Sequence, residues 1–457
     1  MSELIISVSG LRGVIGETLT LDIAMRYVTA FSASMPSGTF VITRDSRPTG
    51  TMLTDVIHSV LNATGRSTID GEIAATPTTG ILIRQFGAVG GIQVSASHNP
   101  IEFNGIKLFS GDGRIISKKY GMDVLEYYRN GKPLWVPHDQ IGTRTLCKNT
   151  ISEHRKSIMQ TVDIDAIAKR EFKVLLDANH GVGAILGDWL LESLGCEVII
   201  LGEQPDGQFQ HTPEPTAENL IEVCRYAKEL NIDIVFCQDP DADRVAIIDA
   251  DGRYVGEEYT IALCLDHLLR ISENSHHPYH RKKGAVVINC ATSRMNEDIA
   301  NKYGVPIFRS AVGEANVVDL MLEKDAMFGG EGNGGPIDPE VGFVRDSFVG
   351  MALILDAMAS TGKTVAQLVD ELPRYVFVKR KIEVNLSDVP AILNKTAMVF
   401  QHLPCNRLDG LRIDHGDAWV LLRGSNTEPI IRIFAEAPTN DYANRLCNEI
   451  EQIVTSC

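Results

Sequence analysis

A chain of 457 residues with a formal charge of −16 is too long for one core and too acidic to attract polyanions. Its 44% hydrophobic and 22% charged content is that of an ordinary globular protein, and its nine cysteines form no C-x-x-C pair. No apolar run approaches the ~18 residues of a membrane span, and "MSELIISVSGLRG" has no basic start, so nucleic acid and membrane are not expected partners and the expected compartment is the cytoplasm.

From the N-terminus, apolar strands alternate with longer helical patterns. "TFVITRD" precedes "TMLTDVIHSVLNATG", "FKVLLDAN" precedes "ILGDWLLESLG", and "GAVVINC" precedes "MNEDIANKYG". That alternation predicts mixed or parallel sheets covered by helices. The last stretch reads differently: "RKIEVN", "GLRIDHGDAWVLLRG" and "EPIIRIFAEA" are closely spaced strands, which predicts an antiparallel sheet with helices on one face. The expected class is α/β, with units at 1–150, 151–255 and 256–370 and a smaller α+β unit at 371–457. An internal echo supports repetition. "GGIQVSASHNP…NGIKLFSGDGR" and "IDIVFCQDPDADRVAIIDADGR" share a strand, a polar loop with proline, a second strand and an Asp-Gly-Arg turn. "AMFGGEGNGGPIDPEVGF" begins alike, so three similar units could aim their loops into one cleft.

The loops carry the chemistry. In "SASHNP" a buried strand breaks at Ser95 into polar turn-formers, where α/β proteins place active groups. Locally Ser95 and Ser97 are equivalent, each a nucleophile or a turn residue beside His98. In "QDPDADR", Asp239, Asp241 and Asp243 recur with period two, and Pro240 disfavours a helix. Three adjacent carboxylates repel unless a cation neutralises them, and hard oxygen donors suit Mg²⁺; a solvated acidic turn is the plain alternative. An EF-hand is excluded by Arg244 and Ala250 at the positions needing glycine and glutamate.

"GGEGNGG" holds G-x-G-x-x-G at Gly330, Gly332 and Gly335, but Pro336 and Pro339 preclude the helix a dinucleotide site needs. What remains is a flexible loop presenting Glu331 and Asn333, suitable partners for sugar hydroxyls, or a plain glycine turn. "STGKT" at 360–364 imitates a Walker A end, yet Ala357 stands where its first glycine should be and the preceding residues read as helix. "LLRGSNTEPIIR" sets Arg423 and Arg432 around Ser425, Asn426 and Thr427, a set able to cradle phosphate or simply to form an exposed hairpin. Arg12, Arg44 and Arg47 follow early strands and carry little weight one by one.

"SASHNP", "DPDADR", "GGEGNGG" and "RGSNTEP", in this order and at these separations, resemble the four active-site loops of the α-D-phosphohexomutases. That superfamily includes phosphoglucomutase, phosphomannomutase and phosphoglucosamine mutase. The resemblance covers essentially the whole chain and implies four domains around a central cleft. It implies that Ser97 carries a phosphoryl group, and that Asp239, Asp241 and Asp243 bind one Mg²⁺ together with the phosphoserine. Glu331 and Asn333 match the sugar loop, with Arg244 beside the metal loop. Arg423, Ser425, Asn426 and Thr427, with Arg432 nearby, match the phosphate loop. Arg12, His98 and Lys107 match basic residues around the phosphoserine. The reaction implied is interconversion of hexose 6-phosphate and 1-phosphate through a 1,6-bisphosphate, by a monomer or homodimer acting on a small phosphosugar.

One departure stands out: Asn333 and Gly335 replace the serine and histidine of a common sugar-loop form, leaving Lys107 and His98 as candidates for proton transfer. The "GEGNGG" form resembles an archaeal-type branch assigned to phosphoglucosamine mutase, so glucosamine phosphate is the expected substrate, with mannose and glucose phosphates as alternatives. A serine hydrolase lacks its G-x-S-x-G elbow here. An aspartyl phosphatase leaves Ser97 idle. A non-catalytic sugar-phosphate binder needs neither Ser97 nor the aspartates.

Overall fold

Continuous apolar runs such as "AVVIN" and "IVFCQ" have no polar face to turn to water, so they become interior strands covered on both sides. In the computed structural model, which describes residues 4–7, 10–424 and 429–455, such strands organise four sheets. The first holds β1 (Ile5–Ser7), β2 (Gly10–Val14), β3 (Phe40–Arg44), β4 (Thr68–Ile73), β5 (Gly90–Val94), β6 (Phe103–Ser110) and β7 (Arg144–Leu146), ordered 1-2-6-5-3-4-7. The second holds β8 (Lys173–Asp177), β9 (Glu197–Leu201), β10 (Ile234–Gln238) and β11 (Val245–Asp249), ordered 11-10-8-9. The third holds β12 (Ala285–Asn289), β13 (Ile307–Ser310), β14 (Ala326–Glu331) and β15 (Gly335–Ile337), ordered 13-12-14-15.

Each of these three sheets has a parallel core and an antiparallel hairpin of the same kind, β5–β6, β10–β11 and β14–β15, and the first sheet adds antiparallel β2 and β1 beyond β6. The echo in the sequence is this shared hairpin. Each polar loop is its turn, and each turn contains one residue at left-handed φ: Ser97 at +50°, Ala242 at +55° and Gly334 at +81°. The Asp-Gly-Arg turns that follow the first two hairpins use Gly113 and Gly252, also at positive φ, where glycine costs least.

The fourth sheet is wholly antiparallel: β16 (Val376–Glu383), β17 (Cys405–Asn406), β18 (Leu411–His415), β19 (Ala418–Gly424) and β20 (Ile430–Ala437), ordered 16-20-19-18-17. Helices Val389–Val399 and Asn440–Thr455 cover one face, as the strand spacing predicts. Trp419, Leu421 and Phe434 on the other face pack with Cys290 of the third unit.

Helix Ser347–Thr361 is buried from Ser347 to Met358, which its nearly unbroken apolar sequence requires. It lies in the largest apolar cluster, shared by the second and third units, so these two do not pack as separate bodies. Asp346 caps it, accepting from the Phe348 and Val349 amides. The Walker-like "STGKT" is the junction after it: Gly362 closes the helix at φ +70°, and Thr364 with Gln367 forms a capping box for Val365–Asp370. Among the described residues no helix is long and apolar enough to cross a membrane.

Candidate active site

The local ambiguity between the serines resolves through one hydrogen bond. The Ser95 hydroxyl accepts from the Ser97 amide (2.9 Å), so Ser95 shapes the turn. Ser97 is 1% exposed and its hydroxyl donates to Asp239 Oδ2 at 2.6 Å. A left-handed serine costs on the order of 1–3 kcal/mol, and it persists because its surroundings hold it. Arg47, fully buried and paired with Asp45, donates from Nη2 to the carbonyls of Ser97 (2.8 Å) and Asn99. Arg12 Nη1 donates to Asn99 Oδ1 at 2.6 Å. His98 Nδ1 lies 3.4 Å from the Ser97 hydroxyl. Burial, then Arg244 and Arg12, hold the His98 pKa well below the ordinary imidazole value, so the ring is neutral.

Asp239, Asp241 and Asp243 are all buried and offer oxygens within 4.8 Å of one another. Asp239 Oδ1 accepts from the Asp243 and Arg244 amides (both 3.2 Å), which folds the loop around its own first carboxylate. Asp241 Oδ2 accepts from Thr76 and from Lys107 (both 2.5 Å). Asp243 Oδ2 accepts from Lys107 (3.2 Å) and Arg345 (2.6 Å). Burial, with Asp243 and Asp241 adding repulsion, pushes the Asp239 carboxyl well above its usual range. Burial also presses Asp241 upward, but the charge and hydrogen bond of Lys107 outweigh it and keep that carboxyl below its usual range. Burial presses Lys107 the other way, yet those same aspartates outweigh the cost and raise its pKa, so it is an ammonium.

Two oxygens of this triad, Asp241 Oδ1 and Asp243 Oδ1, are buried without hydrogen-bond partners among the described residues. Unpaired anionic oxygens in low dielectric are costly, and a hard divalent cation held by Asp239, Asp241 and Asp243 relieves both the orphaned oxygens and the mutual repulsion. The donor set fits Mg²⁺. A second close group is His267, His277 and Asp356, in which Tyr279 N donates to His277 Nδ1 (3.2 Å). His267 Nε2 meets Asp356 Oδ2 at 2.9 Å, while His277 Nε2 lies 3.4 Å from the same oxygen.

In the glycine-rich loop, both Glu331 oxygens are held: Oε1 accepts from Asn289 Nδ2 (2.8 Å) and the Gly313 amide (2.9 Å), and Oε2 from Arg345 Nη1 (2.8 Å). Asn333, with its amide turned to satisfy both groups, accepts from Arg345 Nη1 at 3.0 Å and donates to the Glu331 carbonyl at 3.3 Å. The loop touches the metal loop through a backbone bond from the Val245 amide to the Gly334 carbonyl, 2.9 Å. Arg244 lies beside the triad, its Nε 3.5 Å from Asp243 Oδ1.

In the last unit, Arg423 sits opposite Arg432 across β19 and β20 and forms an ion pair with Asp409 (2.9 Å). Asp409 also accepts from the Val312 amide of the third unit at 3.1 Å. Ser425, Asn426 and Thr427 lie outside the described residues. Sequence reasoning gave Arg47 little weight and missed Thr76, Asn289, Glu314 and Arg345, each a single polar residue outside any motif. For Arg345 a signal was present in Gly335, whose missing side chain leaves the space that Arg345 fills.

Four family models match in sequence: phosphoglucomutase/phosphomannomutase alpha/beta/alpha domain I at residues 4–133, domain II at 152–252, domain III at 257–375 and the C-terminal domain at 375–453. A phosphoglucomutase/phosphomannomutase of Thermococcus kodakarensis is 36% identical over 95% of this chain and 94% of its own. A probable phosphoglucosamine mutase of Pyrococcus horikoshii is 32% identical over 98% and 97%. The crystal structure of a putative phosphomannomutase from Thermus thermophilus superposes with a TM-score of 0.83 at 22% identity, covering all of both chains. With Ser97 aimed at a buried aspartate triad and every domain of the family model matched in order, the chain belongs to the phosphoglucomutase/phosphomannomutase family of α-D-phosphohexomutases.

Proposed function

We propose that this protein interconverts hexose 6-phosphate and hexose 1-phosphate, with Ser97 as the phosphoryl carrier and glucosamine phosphate as the preferred substrate. The observation that carries the reading is the Ser97 hydroxyl, 2.6 Å from Asp239 on a buried left-handed turn. A nucleophile so placed gains nothing structurally from its strain, whereas phosphoryl transfer depends on positioning and charge stabilisation more than on elaborate covalent chemistry. Asp239, Asp241 and Asp243, with the phosphorylated Ser97, would hold one Mg²⁺, which supplies charge neutralisation for the phosphoryl oxygens.

The chain's own groups do the rest. The bond from phosphorus to Ser97 Oγ breaks as one forms to the sugar oxygen, giving a hexose 1,6-bisphosphate. A base takes the proton leaving the sugar hydroxyl and Ser97 Oγ is protonated as it leaves phosphorus, while neutral His98 sits beside that oxygen and Lys107 and Arg12 are cations for the phosphoryl group. Glu331 and Asn333 accept from and donate to sugar hydroxyls. Arg423, Arg432 and the loop of Ser425, Asn426 and Thr427 bind the distal phosphate, for which the Arg423–Asp409 pair must open. The bisphosphate then turns over and returns its other phosphoryl group to Ser97.

The glucosamine preference rests on the names of relatives such as the Pyrococcus horikoshii protein, while the Thermococcus kodakarensis relative carries the glucose and mannose name. Steady-state turnover of glucosamine, glucose and mannose 6-phosphates, each primed with its bisphosphate, tests both levels. The highest kcat/KM for glucosamine phosphate supports the full reading. A higher value for another hexose overturns the preference alone, and no turnover of any overturns the mutase reading.

A further inference from the structure

Arg345 is an isolated arginine in "FVRDSF", between the sugar loop and the buried helix that follows. It is 7% exposed, and its fork is spread across two loops: Nη1 donates to Glu331 Oε2 (2.8 Å) and Nη2 to Asp243 Oδ2 (2.6 Å). Its own amide donates to Glu314 Oε1 (2.8 Å), while Nε faces Glu314 Oε2 at 3.4 Å. The stem passes over Gly335, where a β-carbon would lie 2.5 Å from Arg345 Cδ and 2.9 Å from Cγ. A side chain at position 335 and Arg345 in this pose are mutually exclusive.

We propose that Arg345 is the positioning residue that locks the sugar loop to the metal loop, occupying the space that Gly335 leaves free. This rests on the mutase reading above. A planar fork with two donor faces can hold two carboxylates at fixed separation, which a lysine cannot. Glu331 is thereby kept as an oriented acceptor for hydroxyls, and Asp243 gives Oδ2 to the fork while its Oδ1 has no hydrogen-bond partner among the described residues. An ordinary buried ion pair would need only one of these partners, and would sustain folding without affecting turnover per folded molecule.

The test is a double-mutant cycle on the intact protein: Arg345→Ala, Gly335→Ala and both together, with kcat, KM and melting temperature measured for each. Gly335→Ala displaces the arginine without removing its charge, so it answers even if Arg345→Ala fails to fold. We expect each single variant to lose about 10²-fold in kcat, the usual scale for misplaced groups near the reacting centre. The double variant should be no worse than Arg345→Ala alone, since both substitutions break the same contact. Added guanidinium should restore turnover to Arg345→Ala and not to Gly335→Ala. Wild-type kcat in Gly335→Ala, multiplicative losses, or a folded Arg345→Ala without guanidinium rescue would overturn the assignment. Absence of turnover in the wild type would strike the mutase reading instead.

Discussion

Arg47 shows how a single side chain can set the pose of a nucleophile through its backbone, without touching its hydroxyl. Its guanidinium holds the carbonyls on either side of His98, so the left-handed turn at Ser97 is fixed through its backbone. Asp45 neutralises it in a site with no access to water. Replacing it by alanine leaves Asp45 a buried uncompensated charge, at a cost of about 3–5 kcal/mol. Arg47→Lys is the gentler probe, because an ammonium can keep Asp45 while losing the fork. We expect it to stay folded by thermal melt and to lose about 10²-fold in kcat through misplacement of Ser97. A folded Arg47→Lys with undiminished kcat would show that the turn holds itself. In the sequence Arg47 looked like any arginine after a strand, because nothing local says that residues 97 and 99 fold back onto it.

Among the elements, the hairpins were the most legible. The alternation of buried run, polar loop and second run marks a turn at each of three places, and each of the three is an antiparallel hairpin. Long-range polar contacts were not legible: Thr76 at a helix start reaches Asp241 in the metal loop, and Asn289 at one strand end reaches Glu331 at another. The same holds for the tie between helices Glu257–Glu273 and Ser347–Thr361, where His267 Nε2 meets Asp356 Oδ2 at 2.9 Å and His277 approaches at 3.4 Å. Burial would raise the Asp356 carboxyl, but hydrogen bonds from His267 and then His277 draw it down to about 2. A carboxyl depressed in the folded state contributes stability that is present above its unfolded pKa of about 4 and is lost as pH falls through the folded value. Asp356→Asn should therefore melt below the wild type at neutral pH, and the gap should narrow between about pH 4 and pH 2. A gap independent of pH across that window would mean the carboxylate's charge contributes nothing.

At the scale of the whole molecule, the acidic chain concentrates its cations where anions must bind. Arg12, Lys107, Arg244 and Arg345 surround the aspartates, and Arg423 waits in the last unit on Asp409. The fourth unit meets the third through Asp409 to Val312, Arg294 N to Glu436 (2.9 Å) and Lys379 to Glu257 (3.2 Å). These polar contacts flank the apolar cluster of Trp419, Leu421 and Phe434 on Cys290, so the two units are held together by both kinds of contact. Every assignment here depends on Ser97 being the phosphoryl carrier. The direct measurement is the intact mass of purified protein after incubation with hexose 1,6-bisphosphate, for the wild type, Ser95→Ala and Ser97→Ala, alongside their turnover. One phosphoryl group should be added to the wild type and to Ser95→Ala, and none to Ser97→Ala, which should also be inactive. A phosphorylated or fully active Ser97→Ala would contradict that role.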